Sequence, residues 1–169
     1  MVRIKLAGFF VILSLISIVP VAASCAVPLK ASVYISPASQ EASSGQVVTV
    51  EVKVEPSNYG VSGGEIHLSF DSTAMTVLSY EAGDFLGATP LVGMEELDNQ
   101  AGTLSYVLAR IGESPVPTPP GTFMVVDFEV LDTAEIGTYH LQLVKVGLAD
   151  EEFEDIEGLN IQGASVEIK

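Results

Sequence analysis

The sequence has 169 residues, of which 22 are acidic and seven are basic, so its formal net charge at pH 7 is −15. Nucleic acid and anionic lipid head groups are disfavoured as partners, because binding their phosphates needs clustered Lys and Arg. A single cysteine cannot form an internal disulfide, and the length suits one domain with one core behind an N-terminal segment.

Residues 1–25 predict a signal peptide. Arg3 and Lys5 precede the uncharged run LAGFFVILSLISIV, which ends at Pro20 and is followed by small residues. A retained membrane anchor is the alternative, since residues 6–23 carry no charge, but this stretch is short for spanning a bilayer and contains proline and serine. Cleavage would remove two of the seven basic residues and no acidic one, leaving a net charge of −17. We therefore expect a secreted or cell-surface protein, open to cationic partners.

Cys25 follows Ala-Ala-Ser directly, in a weak version of the lipoprotein signal in which a cysteine becomes the acylated first residue. One acyl chain would hold the protein at a membrane surface without spanning it. The alternative is an ordinary cleavage site, with a cysteine that is lost on cleavage or has no function in the mature protein. In either case residues 26–31 form a short tether, and one domain is predicted over residues 32–169.

The rest of the chain predicts an all-β fold. Apolar residues recur with a period of two in short segments, which Gly, Pro, Asn, Asp and Ser separate, and no helix-length segment has a period of 3.6. A spacing of about 8 to 15 residues between strands is typical of a sandwich. The nine predicted strands lie in SVYISP, VVTVEVKVEP, GGEIHLSFDS, AMTVLSYEAG, PLVGMEELDN, TLSYVLAR, GTFMVVDFEVLD, GTYHLQLVKVGLAD and IQGASVEIK.

Two of these segments predict a sheet with one buried face and one open face. In the third segment apolar residues alternate with Glu65 and His67. In the sixth, Ser105, Val107 and Ala109 alternate with larger apolar residues, which leaves an unusually apolar open side. The fourth segment breaks strict alternation, which predicts a bulge. The open face of the third and sixth segments contacts either water or a partner.

Residues for catalysis or for a metal site are scarce. His67 and His140 both lie within predicted strands, where an outward histidine is usually a surface residue, and no G-x-S-x-G motif is present. Two isolated histidines and one N-terminal cysteine fall short of a zinc site. The acidic run ADEEFEDIEG, residues 149–158, lacks the EF-hand spacing. We interpret it as a solvated loop, with weak calcium binding as the alternative.

Carbohydrate binding by a sandwich normally uses exposed aromatic rings that stack on sugar rings. The chain has no tryptophan, and Tyr80, Tyr106 and Tyr139 fall on or near inward positions. A glycosidase needs two carboxylates at a fixed separation in a cleft, and among 22 acidic residues some such pair is always available. The presence of a pair is therefore no support for an enzyme.

The order of the segments resembles that of a cohesin domain along nearly all of residues 32–169. The specificity lies in the order and spacing of several motifs together. The motifs are Gly45 before the second predicted strand, the G-V-x-G start of the third at Gly60, Val61 and Gly63, the aromatic residue and aspartate at Phe70 and Asp71, the AMTVL strand followed by Gly83, and GLAD at residues 147–150.

The resemblance implies a nine-stranded β-sandwich with jelly-roll topology and no catalytic function. A cohesin holds a dockerin module, a helical partner stabilised by calcium and borne on another polypeptide. The resemblance therefore implies a dockerin-bearing protein as partner, with the calcium on the dockerin and no cofactor on this chain. A carbohydrate-binding module of jelly-roll type is the alternative, followed by a surface structural domain and, last, an enzyme.

In cohesins the dockerin docks on the outer face of the sheet that contains the third, fifth, sixth and eighth strands. The register of the fifth strand stays open, with Glu95 and Leu97 preferred and Met94 and Glu96 on the other phase. Many cohesins carry asparagine where this sequence has Gly63, and aspartate where it has Glu65, so the resemblance implies a different hydrogen-bonding pattern. The partner-binding residues implied are Gly63, Glu65, His67, Glu95, Leu97, Ser105, Val107 and Arg110.

Overall fold

A computed structural model describes residues 30–112 and 116–169 of the chain. The predicted signal peptide and the predicted lipid attachment at Cys25 lie outside the described residues. Within those ranges no helix is long and apolar enough to cross a membrane, and every regular element is a β-strand. In chain order the strands are β1 (Ser32–Ser36), β2 (Ser39–Ala42), β3 (Val47–Glu55), β4 (Gly63–Ser69), β5 (Met75–Ala82), β6 (Leu91–Asp98), β7 (Thr103–Ala109), β8 (Gly121–Val130), β9 (Gly137–Ala149), β10 (Asn160–Gln162) and β11 (Ala164–Ile168).

Two sheets pack face to face around one core, which confirms the predicted all-β sandwich. The five-stranded sheet has the order β10-β1-β3-β8-β5, and the six-stranded sheet has the order β2-β11-β9-β4-β7-β6. In β3 and in residues 124–130 of β8 buried and open residues alternate, as a strand with one face on a core requires. The rings of Phe70 and Phe128 meet edge to face at 5.2 Å, and those of Tyr80 and Tyr106 at 5.4 Å. Aromatic residues from both sheets thus fill the space between them.

The predicted count of nine strands is wrong for the described chain, which has eleven. The two additional strands, β2 and β10, have four and three residues, and neither shows an apolar alternation. They are held by backbone pairing, β2 parallel to β11 and β10 parallel to β1. Because a short, mostly exposed edge strand buries few side chains, it leaves no period-two pattern in the sequence.

Both ends of the domain pass from one sheet to the other. The chain leaves β1 in the five-stranded sheet and continues as β2 in the six-stranded sheet, and β10 and β11 repeat this change at the C-terminal end. Gly163 is the single residue between β10 and β11. A Cβ atom at this position would lie 2.4 Å from the carbonyl oxygen of Leu141, so the change of sheet requires glycine.

Four bulges shift the phase of side chains along the strands, and one of them is at Phe123 in β8, where the register against β3 changes between Val52 and Lys53. In β5 the register against β8 changes between Val77 and Ser79, at the bulge that the sequence predicts, and it leaves Leu78 exposed. Two others lie in the six-stranded sheet, at Gly93 in β6 and at Val144 in β9. A bulge inserts one residue, so every side chain beyond it changes face relative to a strict alternation.

Candidate functional site

The mapped residues converge on the outer face of the six-stranded sheet, which is the face turned away from the core. Here β4 lies between β7 and β9, and β6 forms the edge beyond β7. Residues directly opposite each other on paired strands share a face, so the register defines four rows across β6, β7, β4 and β9. The first row is Leu91, Ala109, Gly63 and Ala149; the second is Met94, Val107, Glu65 and Gly147; the third is Glu96, Ser105, His67 and Lys145; the fourth is Asp98, Thr103, Ser69 and Gln142.

The preferred register for the fifth predicted strand, β6, is wrong. Glu95 lies opposite Tyr106 and Leu97 lies opposite Leu104, and the side chains of these two β7 residues are buried on the inner face. The bulge at Gly93 reverses the alternation that begins at Leu91. The other phase, which the sequence left open, is the one on the outer face, so Met94 and Glu96 replace Glu95 and Leu97 there.

Arg110 also lies outside the four rows. It follows the last residue of β7, and its backbone N–H donates to the carbonyl oxygen of Ser62 at 2.9 Å. The residue lines a groove of about 340 Å³ at the end of the sandwich, together with Leu86 and Ile111. The remaining mapped residues, Gly63, Glu65, His67, Ser105 and Val107, come together on the outer face as the resemblance implies.

A hydrogen-bonded chain crosses three strands at the centre of the outer face. Lys145 Nζ lies 2.8 Å from Glu65 Oε2, and His67 Nε2 lies 2.5 Å from Glu65 Oε1. A carboxylate only accepts, so His67 Nε2 carries the proton, and Ser105 Oγ lies 3.0 Å from the other ring nitrogen, Nδ1. The hydrogen bond from Lys145, and after it that from His67, lowers the pKa of Glu65 below its ordinary value. Glu65 is therefore held as a carboxylate that ties β9 to β4.

The first row and the part of the second row on β6 and β7 form an apolar end of the same face. Leu91 is 55% exposed and Met94 is 39% exposed, and both stand at the edge strand beside half-buried Val107. Toward β9 the first row continues with small residues only, whereas the second row contains Glu65, so charge begins within the second row. The outer face thus changes from apolar and flat at the first row to charged and hydrogen-bonded at the third.

The sequence reasoning missed the contribution of β9. Lys145 completes the third row and Gly147 completes the second, but neither was among the mapped residues. The bulge at Val144 interrupts the alternation of β9, so a period-two pattern read through this strand assigns its two halves to opposite faces. A Cβ atom built on Gly147 would meet no atom within 4 Å, so the glycine leaves open space above the second row.

The structure does not assemble a metal centre from the described residues. Across residues 30–112 and 116–169 no three His, Cys, Asp or Glu side chains are grouped to hold a metal ion. His140 is exposed and lies opposite Ser165, away from His67. In the acidic run, Asp150 Oδ1 accepts hydrogen bonds from the backbone N–H groups of Glu152 and Glu154, both at 3.0 Å. The run thus contains a short turn whose backbone N–H groups are hydrogen-bonded to Asp150.

A family model described as Cohesin domain matches residues 33–165, which is most of the chain. The chain belongs to the cohesin family. The resemblance in the order of its segments is thereby confirmed, and the family is one of non-catalytic interaction modules. None of the curated protein sequences matches this cohesin.

Solved cohesin structures share the fold. A type II cohesin domain from the cellulosome of Acetivibrio cellulolyticus is 19% identical, with a TM-score of 0.70 over 82% of this chain and 95% of that chain. The seventh ScaB type I cohesin from Pseudobacteroides cellulosolvens is also 19% identical, with a TM-score of 0.66 over 83% and 92% of the two chains. The OlpA cohesin of Clostridium thermocellum, solved in complex with Doc918, is 15% identical, with a TM-score of 0.70 over 83% and 100%.

Proposed function

We propose that this cohesin is a non-catalytic module that binds a dockerin-bearing protein through the outer face of its six-stranded sheet. The observation that carries the proposal is the gradient across that face, from exposed Leu91 and Met94 to the network around Glu65. Protein interfaces combine an apolar centre with a polar rim in this way. A sheet face that contacts only water has no need of large apolar side chains clustered at one end.

Similar structures support a dockerin as the partner. The sixth cohesin of scaffoldin B from A. cellulolyticus was solved in complex with a mutant Cel5 dockerin, and the third cohesin ScaC of the same organism with a mutant ScaB dockerin. The OlpA cohesin was solved with Doc918. By analogy, this chain receives a dockerin, any calcium resides on the dockerin, and this chain itself holds no cofactor.

The proposal includes export of the protein. Residues 1–25 have the charge pattern and apolar run of a signal peptide, and cohesins belong to assemblies outside the cell. Acylation of Cys25 would place the domain at a membrane surface, about six residues from β1. Mass spectrometry of the mature N-terminus distinguishes a lipid-modified Cys25 from a simple cleavage product.

Binding of dockerin modules to the full chain, kept in solution by a mild detergent, tests the proposal. We expect at least one module from a diverse panel to bind with micromolar or tighter affinity in calcium, and to be released by a chelator. Val107→Asp puts a charge in the apolar part of the face, and we expect it to weaken binding by about 1–3 kcal/mol while the fold stays intact.

The same experiment separates the alternatives. If no dockerin binds, the proposed function is wrong, and retention on insoluble polysaccharides without any protein partner would then favour a carbohydrate-binding module. If a dockerin binds and a well-folded Val107→Asp variant retains its affinity, the outer face at β7 is not the interface.

A further inference from the structure

We infer that Phe153, at the tip of a short hairpin that follows β9, is a second anchor for the same partner and inserts into an apolar depression with a basic rim. The inference rests on the proposed function, because it concerns a dockerin that lies on the outer face. It adds a contact outside the sheet, on a segment that the sequence analysis interpreted as a solvated loop.

The hairpin continues the outer face at its apolar end. Ala149 and Asp155 form an isolated antiparallel bridge, so Asp155 extends the first row beyond β9. The next residue, Ile156, is buried, and its backbone N–H donates to the carbonyl oxygen of Leu148 at 2.8 Å. The closing pair of the hairpin is therefore part of the sheet, with Asp155 on the outer side and Ile156 on the core side.

The first row then has a raised residue at each end. Four strand spacings separate Leu91 from Asp155, which is about 19 Å, and the three positions between them carry only Ala or Gly side chains. An α-helix is about 10–12 Å across its side chains. A helix that runs along the strands over this low floor contacts the exposed side chain of Leu91 on one side and the hairpin on the other.

Phe153 has two features that cost stability in the free protein. Its φ of 63° lies in the left-handed region, where a residue with a Cβ atom and a bulky ring is strained. Its side chain is 75% exposed, so most of the ring contacts water. Strain of this kind persists at functional sites, where the conformation serves a contact that the isolated domain does not make.

The hairpin holds this conformation firmly. The backbone N–H of Phe153 donates to the carbonyl oxygen of Asp150 at 3.1 Å, and the N–H of Asp150 donates to that of Glu154 at 3.0 Å. The carboxylate of Asp150 accepts two further backbone hydrogen bonds from inside the turn. A ring presented by a closed turn loses little conformational freedom on binding, which is the property of an effective anchor.

The neighbours of Phe153 define the chemistry of the surface that receives it. Four carboxylates, those of Glu151, Glu152, Glu154 and Asp155, lie within two residues of it in the sequence. An aromatic side chain at the centre of a charged rim is the usual arrangement of a binding hot spot. The matching surface on the dockerin is therefore apolar at its centre and carries Lys or Arg around it, and salt weakens the contact.

The test compares Phe153→Ala, Phe153→Gly and Ile136→Ala in the full chain, titrated with the dockerin that binds the unchanged protein most tightly. Ile136 is 83% exposed and lies beside the opposite end of β9, so its truncation is a matched loss of exposed apolar surface away from the hairpin. We expect both Phe153 variants to raise Kd about ten-fold and Ile136→Ala to change it less than two-fold. Glycine accepts a positive φ, so Phe153→Gly should melt at least as high as Phe153→Ala.

The outcomes separate this inference from the proposed function. If Val107→Asp loses binding while both Phe153 variants keep Kd within two-fold, the hairpin is no anchor and the inference is wrong, although the outer face remains the interface. If the unchanged protein binds no dockerin in the panel, the inference fails together with the proposed function. If Ile136→Ala weakens binding as much as Phe153→Ala, the loss is not specific to the hairpin and the inference is also wrong.

Discussion

Replacing Phe128 by alanine removes the ring at the centre of the core. Phe128 is 0% exposed, and its ring meets that of Phe70 edge to face at 5.2 Å. Truncating a fully buried phenylalanine costs about 3–5 kcal/mol, and the loss of an aromatic pair places the expected value in the upper half of that range. For a domain of this length each kcal/mol lowers the melting temperature by about 3–4 °C, so we expect a decrease of about 12–20 °C.

Thermal unfolding followed by circular dichroism measures the effect, and urea unfolding checks that the m-value is unchanged. Phe153→Ala is the matched control, because it deletes the same atoms from an exposed ring, and we expect its melting temperature to stay within about 2 °C of that of the unchanged protein. A double-mutant cycle with Phe70→Ala should give a coupling of about 0.5–1.5 kcal/mol. If Phe128→Ala melted within about 3 °C of the unchanged protein, the inward face assigned to β8 would be wrong.

Three further predictions concern the outer face and the change of sheet. Because the pKa of Glu65 is lowered in the folded state, its ion pair stabilises the protein above the ordinary pKa of about 4.5, and this contribution is lost as the pH falls through the folded-state pKa. Glu65→Gln should therefore lower the unfolding free energy at pH 7 and have no effect near pH 2, and an equal effect at both pH values would contradict this. Glu96→Lys should weaken dockerin binding several-fold, whereas Glu95→Lys, the same change of charge on the other face, should leave Kd within two-fold; equal effects would contradict the register of β6. Gly163→Ala should cost about 1–3 kcal/mol in urea unfolding, because its methyl group would lie 2.4 Å from a backbone oxygen, and an unchanged midpoint would show that the backbone yields there.

The strands that bury many side chains were predictable from the sequence. The short strands that are held mainly by backbone pairing were not. Long strands such as β3 and β8 place alternate residues in the core, so their sequences carry apolar residues at alternate positions. The strands β2 and β10 are held mainly through backbone groups, which every residue carries.

The site was predictable to the same degree. No bulge interrupts the pairing of β4 with β7, so the period of two assigns the side chains of these strands to the correct face. The residues placed on the outer face in this way are Glu65, His67, Ser105 and Val107. The bulge at Gly93 exchanges the inward and outward residues of β6, and the bulge at Val144 interrupts the alternation of β9. A bulge depends on backbone geometry more than on residue type, so the sequence does not reveal either of them.

The hairpin that follows β9 is a third feature that the sequence did not predict. Its shape depends on one side chain, Asp150, which accepts hydrogen bonds from backbone groups two and four residues away. In the sequence this aspartate is one of many acidic residues in a run, so composition indicates a solvated loop. The exposure and positive φ of Phe153 follow from the closed turn, and only the structure reveals them.

The change of sheet at both ends has a consequence for the order in which the domain folds. Among the residues that the structure describes, β2 pairs only with β11. Ser39 therefore cannot pair until Ser165, 126 residues later in the chain, is in place. Contacts so distant in sequence form late and slow the folding of a domain, because the intervening chain must be ordered first. The six-stranded sheet therefore stays open at β2 and β9 until the last few residues arrive. A chain cut before Ala164 would leave β2 and residues 137–141 of β9 unpaired and would be prone to edge-to-edge aggregation.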